Sequence, residues 1–270
     1  MAGAADTVAE VASSIAINSI EGLASLPKQQ TDAEASRHPF VGLVDHVSVM
    51  PLQPAAHNSS DESQHGKAAS RIGKRLQEIG VQVFYYGDAH PEGTPLAVVR
   101  RERTNFFQSG GLDNDETESL HADDKGVATV GAPAMFVENF NIRLTANCDL
   151  KTARSLTKFL RERDGGLLGV EGLTLPYGNG RYEMAGNLLR PDVGSSDAVL
   201  TKLDEWVEQT LKELPFDQKS DLVEIAYRVG TTSEQCLNGL AQCESPEDII
   251  RHDQQVTEQF RTYLTNLGVE

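Results

Sequence analysis

A histidine that precedes a proline and stands seven residues ahead of an aspartate is the arrangement in this chain best suited to proton chemistry. In the run Arg37-His38-Pro39-Phe40-Val41-Gly42-Leu43-Val44-Asp45-His46, Pro39 disfavours helical backbone at His38, and Gly42 opens a valine-rich stretch that reads as a buried strand. The imidazole therefore sits where a loop enters a strand. Its proton comes and goes near neutral pH, and Arg37, Asp45 and His46 in the same segment are placed to tune it. Two roles fit: a proton carrier, or a turn residue satisfied by backbone. Lys67, Arg71 and Arg75 recur every four residues and make a basic stripe, which is either a solvated helix face or a grip on the carboxylates of an anionic ligand. Arg100, Arg101 and Arg103 form a second basic cluster, read as surface charge on a short helix.

Positioning these groups requires a sheet and its covering helices. Val8, Val11, Ala12 and Ile15 recur at helical spacing and predict an amphipathic helix lying on the strand that runs from Leu43 to Val49. Ser59 with Glu62 has capping-box spacing for a helix reaching about Ile79, where Gly80 ends it. A strand from Val81 to Tyr86 then stops at Gly87. Six Asp and Glu fall between Asp113 and Asp124 after Gly110-Gly111, so 109–125 reads as an acidic linker between two subdomains, 1–108 and 126–215.

In the second unit, Val127–Val130 and Met135–Leu144 read as extended around Gly131, where backbone approaches closely. Asp149 is a good N-cap for a helix through Arg163. Leu167–Pro176 and Arg181–Leu189 flank a hairpin turn at Gly178-Asn179-Gly180, and Val199, Leu203, Trp206, Thr210 and Leu214 mark a further helix. Lys219–Val229, Ser233–Gln242 and Pro246–Leu267 predict a helical extension over 216–270. The expected class is α+β, two ferredoxin-like units with antiparallel sheets covered by helices.

Composition removes several functions. Twenty-four Lys and Arg against 40 Asp and Glu give a formal charge of -16, which argues against nucleic acid and anionic membrane surfaces as partners. No apolar stretch is long enough for a membrane span, and the default location is cytoplasmic. Cys148, Cys236 and Cys243 lack metal-ligand spacing and read as reduced thiols. There is no Walker motif and no dinucleotide glycine fingerprint.

His38-Pro39-Phe40-Val41-Gly42-Leu43-Val44-Asp45, closed by Met50-Pro51, resembles the His-Pro-x-x-Gly-x-x-Asp strand of the glutamate formimidoyltransferase family, close to its plant and algal single-domain relatives. Arg75-Leu76, Val81 through Gly87-Asp88-Ala89, Gly126 through Ala132, Phe140-Asn141-Ile142 and Asn187-Leu188-Leu189 follow in the family's order, so the resemblance covers Val8 to Leu214. It implies formimidoyl transfer from N-formiminoglutamate to tetrahydrofolate without a metal, a reaction of histidine catabolism and one-carbon metabolism, carried out by a homodimer. His38 aligns with the family's catalytic histidine as general base. Asp45 aligns too, and orders the strand or orients the ligand. Gly126 ends the loop associated with folate, while Gly131 and Asn141 are candidates for lining the cleft.

The chain also departs from the family. The family's first strands and its Pro-Asn-Phe-Ser-Glu-Gly type loop have no counterpart, so the first unit reads as truncated. The folate loop keeps only Gly126, and Pro133-Ala134 replaces a frequent Arg-Lys. These departures favour the alternative, a noncatalytic folate- or anion-binding or scaffolding homologue that kept the fold.

Overall fold

The computed structural model describes residues 4–24, 41–52, 63–104, 125–214 and 218–241. His38, the Ser59–Glu62 cap, the acidic stretch 109–124, Cys243 and the helix expected over Pro246–Leu267 lie outside the described residues.

The first core is built by helices α1 (Ala5–Ala24) and α2 (Gln64–Glu78) on one face of a three-stranded sheet. Ser63 caps α2, its hydroxyl accepting the Gly66 N–H at 3.1 Å. Ala68, Ala69, Ile72 and Leu76 then bury one side of the helix. Helix α1 packs on α2 through the small side chains of Ala9, Ser13 and Ala16, with Ile20 fully enclosed, while Ile15 of the expected stripe is 48% exposed. Small residues bring the two helices close enough for Arg71 to pair with Asp6 and for Arg75 to meet Glu10 at 3.0 Å. Two members of the basic stripe are thus paired with α1, which leaves them a surface role worth little individually.

Strands β1 (His46–Ser48), β2 (Gln82–Gly87) and β3 (Val127–Ala132) pair in the order β1-β3-β2, all parallel. This corrects the expected antiparallel arrangement of the first sheet. Helix α2 joins β1 to β2, and α3 (Leu96–Arg103) lies between β2 and β3; a helical crossover returns the chain to the same end of the sheet, so the strands run parallel. Strand β3, which begins just after 126, is the central strand of this first sheet.

The second half runs β4 (Glu138–Leu144), α4 (Leu150–Leu160), β5 (Val170–Pro176), β6 (Tyr182–Leu188), α5 (Ser196–Glu213) and β7 (Val223–Val229). Its sheet has the antiparallel order β5-β6-β4-β7, the expected ferredoxin-like arrangement. Asp149 caps α4 as its sequence predicts, accepting the Thr152 N–H at 2.7 Å. The hairpin turn holds three consecutive positive φ values, at Gly178, Asn179 and Gly180, which suits two glycines around an asparagine. Leu156, Leu160, Leu203 and Ile142 are completely enclosed between sheet and helices, and Trp206 closes the layer with its indole N–H donating to Ser155 at 3.0 Å.

Strand β7 replaces the helix expected over Lys219–Val229. Val223, Ile225, Tyr227 and Val229 alternate with period two and favour extended backbone, and β4 offers an edge to receive them. The extension is therefore part of the second sheet up to Val229, followed by α6 (Ser233–Ala241). Overall the class is α+β, with one parallel and one antiparallel sheet.

Candidate active site

Asp45 stands at the entry to β1 and is tied on both oxygens. Oδ1 accepts the Val41 N–H at 3.1 Å, closing the turn that leads into the strand. Oδ2 accepts from Arg100 Nη2 of α3 at 3.0 Å. Its backbone carbonyl receives the Thr129 N–H at 2.9 Å and the Thr129 hydroxyl at 3.0 Å. The pair is largely enclosed, with the Arg100 and Asp45 side chains 12% and 28% exposed. Asp45 thus ties the entry of β1 to α3 and to β3.

Arg100 belongs to a cluster read from sequence as surface charge; the structure buries it instead. Its signal lay in Asp45, a carboxylate inside an apolar strand that needs a counter-charge. Of its neighbours, Arg103 lies over the Phe84 ring, 5.1 Å from the centroid. Burial pushes the Glu171 carboxyl on β5 up, against the opposing charges of Arg163 and then Arg101.

A second group lies on the same face of the sheet. His46 Nε2 is 2.9 Å from the Tyr86 hydroxyl, although β3 runs between their strands. Gly131 makes this possible. It is level with both Ser48 and Tyr86, and a Cβ there would come within 2.4 Å of the Tyr86 ring and of its carbonyl oxygen. Gly131 therefore gives the Tyr86 ring a passage across β3. Enclosure by protein and the Ser48 hydroxyl act oppositely on the Tyr86 phenol, and enclosure wins, pushing its pKa up to about 12. His46 is held down to about 4 by surrounding protein and then by the Arg100 charge. The residue as a whole is exposed to solvent.

Gly126 and Asn141 do not join this group. Gly126, with φ of 72°, bridges Gly42 and tethers the entry of β1 to the start of β3. Asn141 lies on β4, where it donates to the buried Glu183 at 2.9 Å. Glu183 also accepts from Tyr227 at 2.7 Å, and Arg143, stacked 3.7 Å above Tyr177, joins the network through its ion pair with Glu183 and its bond to the Tyr227 hydroxyl, while its Nε is buried without a hydrogen-bond partner. This network lies on the face of the second sheet opposite the core formed with α4 and α5.

A cavity of about 600 Å³ opens beyond the carboxyl ends of β1 and β3, the side on which parallel sheets offer ligands a crevice. Pro51, Leu52 and Phe136 form its apolar wall. Glu138, Asp192 and Glu234 line it with Arg228, whose guanidinium lies between Glu138 and Ser196. Asp45, Gly126, Gly131 and Asn141 do not line it. Among the described residues no group of His, Cys, Asp and Glu suited to a metal ion comes together, and no helix is long and apolar enough to cross a membrane.

Residues 3–133 match the family model described as formiminotransferase domain, N-terminal subdomain. The match ends one residue beyond β3, so it spans the whole first sheet. A similar protein is the formiminotransferase cyclodeaminase-like protein of Arabidopsis thaliana, 32% identical over 176 residues, which are 60% of this chain and 57% of that relative. The chain thus spans little more than half the length of the relative it matches. The segment that builds the first sheet is thus similar to the formiminotransferase domain.

Proposed function

We propose that the chain performs folate-dependent one-carbon transfer, moving a formimidoyl group from N-formiminoglutamate to tetrahydrofolate and releasing glutamate. The family match over residues 3–133 carries this reading. In the reaction a folate nitrogen attacks the amidine carbon and loses its proton, the bond from that carbon to the glutamate nitrogen breaks, and that nitrogen gains a proton. His38 is the general base. The Arg100–Asp45–Val41 linkage supports it by fixing the backbone three residues further on. The acid-rich cavity suits the N–H donors of a reduced pterin better than a glutamate tail, for which one guanidinium faces three carboxylates.

We place the division between the two units after Ala132, where the first sheet ends. We also propose that the protein is a cytoplasmic homodimer, since β1 leaves a sheet edge for a second copy to cover. Light scattering that reads a monomer over a wide concentration range would count against the dimer.

The enzymatic reading is tested by assaying transfer with wild type and His38→Ala. The variant is expected to lose about a hundredfold or more in turnover, the usual worth of positioned proton transfer, with little change in folate affinity. Equal rates would remove His38 from the mechanism. A wild type that binds folate without turnover would favour a noncatalytic binder.

A further inference from the structure

We infer that Glu138 and Arg228 read the 2-amino-4-oxopyrimidine edge of a pterin ring in the cavity of about 600 Å³, and so decide which heterocycle it accepts. This deepens the proposed transferase reading and rests on it.

Glu138 is a charged residue in an apolar row. Glu138, Phe140, Ile142 and Leu144 are the buried positions of β4, every second residue along the strand, so a carboxylate stands where the alternation calls for a hydrophobic side chain. That side chain is 11% exposed and meets Arg228 Nη2 at 3.4 Å. Among the described residues no hydrogen bond reaches the carboxylate. Arg228 is engaged elsewhere, with Nη2 donating to Ser196 at 2.8 Å and Nε enclosed without a partner, which leaves Nη1 unbonded among the described residues. An enclosed ion pair short of hydrogen bonds is costly, and both members line the cavity. The other two acids that line it differ in kind. Asp192 is held on both oxygens by Arg190, at 2.9 and 2.7 Å, and Glu234 is exposed in the first turn of α6. Of the three carboxylates lining the cavity, Glu138 alone is both enclosed and without a hydrogen bond.

The pair matches one pattern of ligand atoms. A carboxylate accepts two parallel N–H groups, and a neighbouring guanidinium donates to a carbonyl. A pterin offers that order along a single edge, with the 2-amino group, N3–H and O4. Leu52 and Phe136 on the wall supply apolar contact for the ring faces, and the volume holds a bicyclic ring. Guanine carries the same edge; the transferase reading selects the pterin.

The test is calorimetric titration of the full chain with 6-methylpterin, with 6-methyllumazine, which lacks the 2-amino group, and with guanosine as the second source of the edge, alongside transfer kinetics. Wild type should bind 6-methylpterin about tenfold or more tighter than either of the others, the worth of one hydrogen bond to a charged group. Glu138→Gln turns one acceptor into a donor at constant shape. It should abolish the preference over 6-methyllumazine and raise KM for tetrahydrofolate about tenfold, while KM for N-formiminoglutamate does not follow. Arg228→Lys should weaken pterin and lumazine by a similar factor, since both carry O4. The comparison of heterocycles on wild type needs no variant to fold. Equal wild-type binding of pterin and lumazine, a folded Glu138→Gln with unchanged KM for tetrahydrofolate, or an Arg228→Lys that binds both like wild type would each overturn the inference while observed transfer upheld the transferase reading. Guanosine bound as tightly as 6-methylpterin would overturn the pterin assignment. Selective pterin binding without transfer would support the assignment and overturn the transferase reading, and a wild type that binds no tetrahydrofolate would overturn both.

Discussion

Asp45→Ala is expected to destabilise the protein by about 3–5 kcal/mol, because it leaves the enclosed Arg100 guanidinium without its counter-charge. The substitution also orphans the Val41 N–H at the entry to β1. Arg100→Ala should cost a similar amount by stranding the carboxylate and two bonds to Thr129. Removing both charges with an apolar pair, Asp45→Leu with Arg100→Met, should recover most of the loss, since isosteric apolar replacement of a buried ion pair is often neutral. Urea midpoints for the two single variants and the double variant give the comparison. Single losses below about 1 kcal/mol would place the pair in the class of surface ion pairs and remove the support it lends to the strand after His38.

Gly131→Ala is the second large effect expected. The added methyl would sit 2.4 Å from both the Tyr86 ring and the Tyr86 carbonyl oxygen. The ring can swing, but the carbonyl belongs to a paired strand, so relief requires β2 and β3 to separate locally. Overpacking of this kind costs about 1–3 kcal/mol, and the upper end is expected because backbone must move. The same change should break the His46–Tyr86 bond, visible as a changed His46 tautomer signal. Gly22→Ala is the control, with nothing within 4 Å of its added carbon; it should leave the midpoint unchanged or raise it by up to about 1 kcal/mol. Equal behaviour of the two variants would show that the ring does not depend on the gap.

The second half was largely legible before its coordinates, because its signals are local. Asp149 announces α4, the two glycines around Asn179 announce the hairpin, and the spacing of Val199, Leu203 and Trp206 marks the buried side of α5. What failed were decisions that depend on distant partners. Val223–Val229 carries strand-forming residues, yet charged Glu224 and Arg228 among them suggested an exposed helix until β4 supplied an edge. The direction of the first sheet follows from its crossovers, and Val127–Val130 gave no local hint that it joins strands far upstream. Arg100 read as surface charge for the same reason, since Asp45 lies 55 positions away. The basic stripe of α2 was visible, but its acidic partners on α1 were not. Of the candidate residues, Asp45 ties the entry of β1 to Arg100 and Gly131 gives Tyr86 its passage to His46, whereas Gly126 bridges Gly42 and Asn141 bonds Glu183.

The central place of β3 also determines when the first half can come into being on the ribosome. Among the described residues β1 and β2 do not pair with each other, and both bond to β3. The chain must therefore be synthesised to Ala132 and clear the exit tunnel before any strand of that sheet finds a partner, however early α1 and α2 meet. Until then two strands emerge with unpaired backbone, separated from their common partner by the acidic stretch that precedes Lys125.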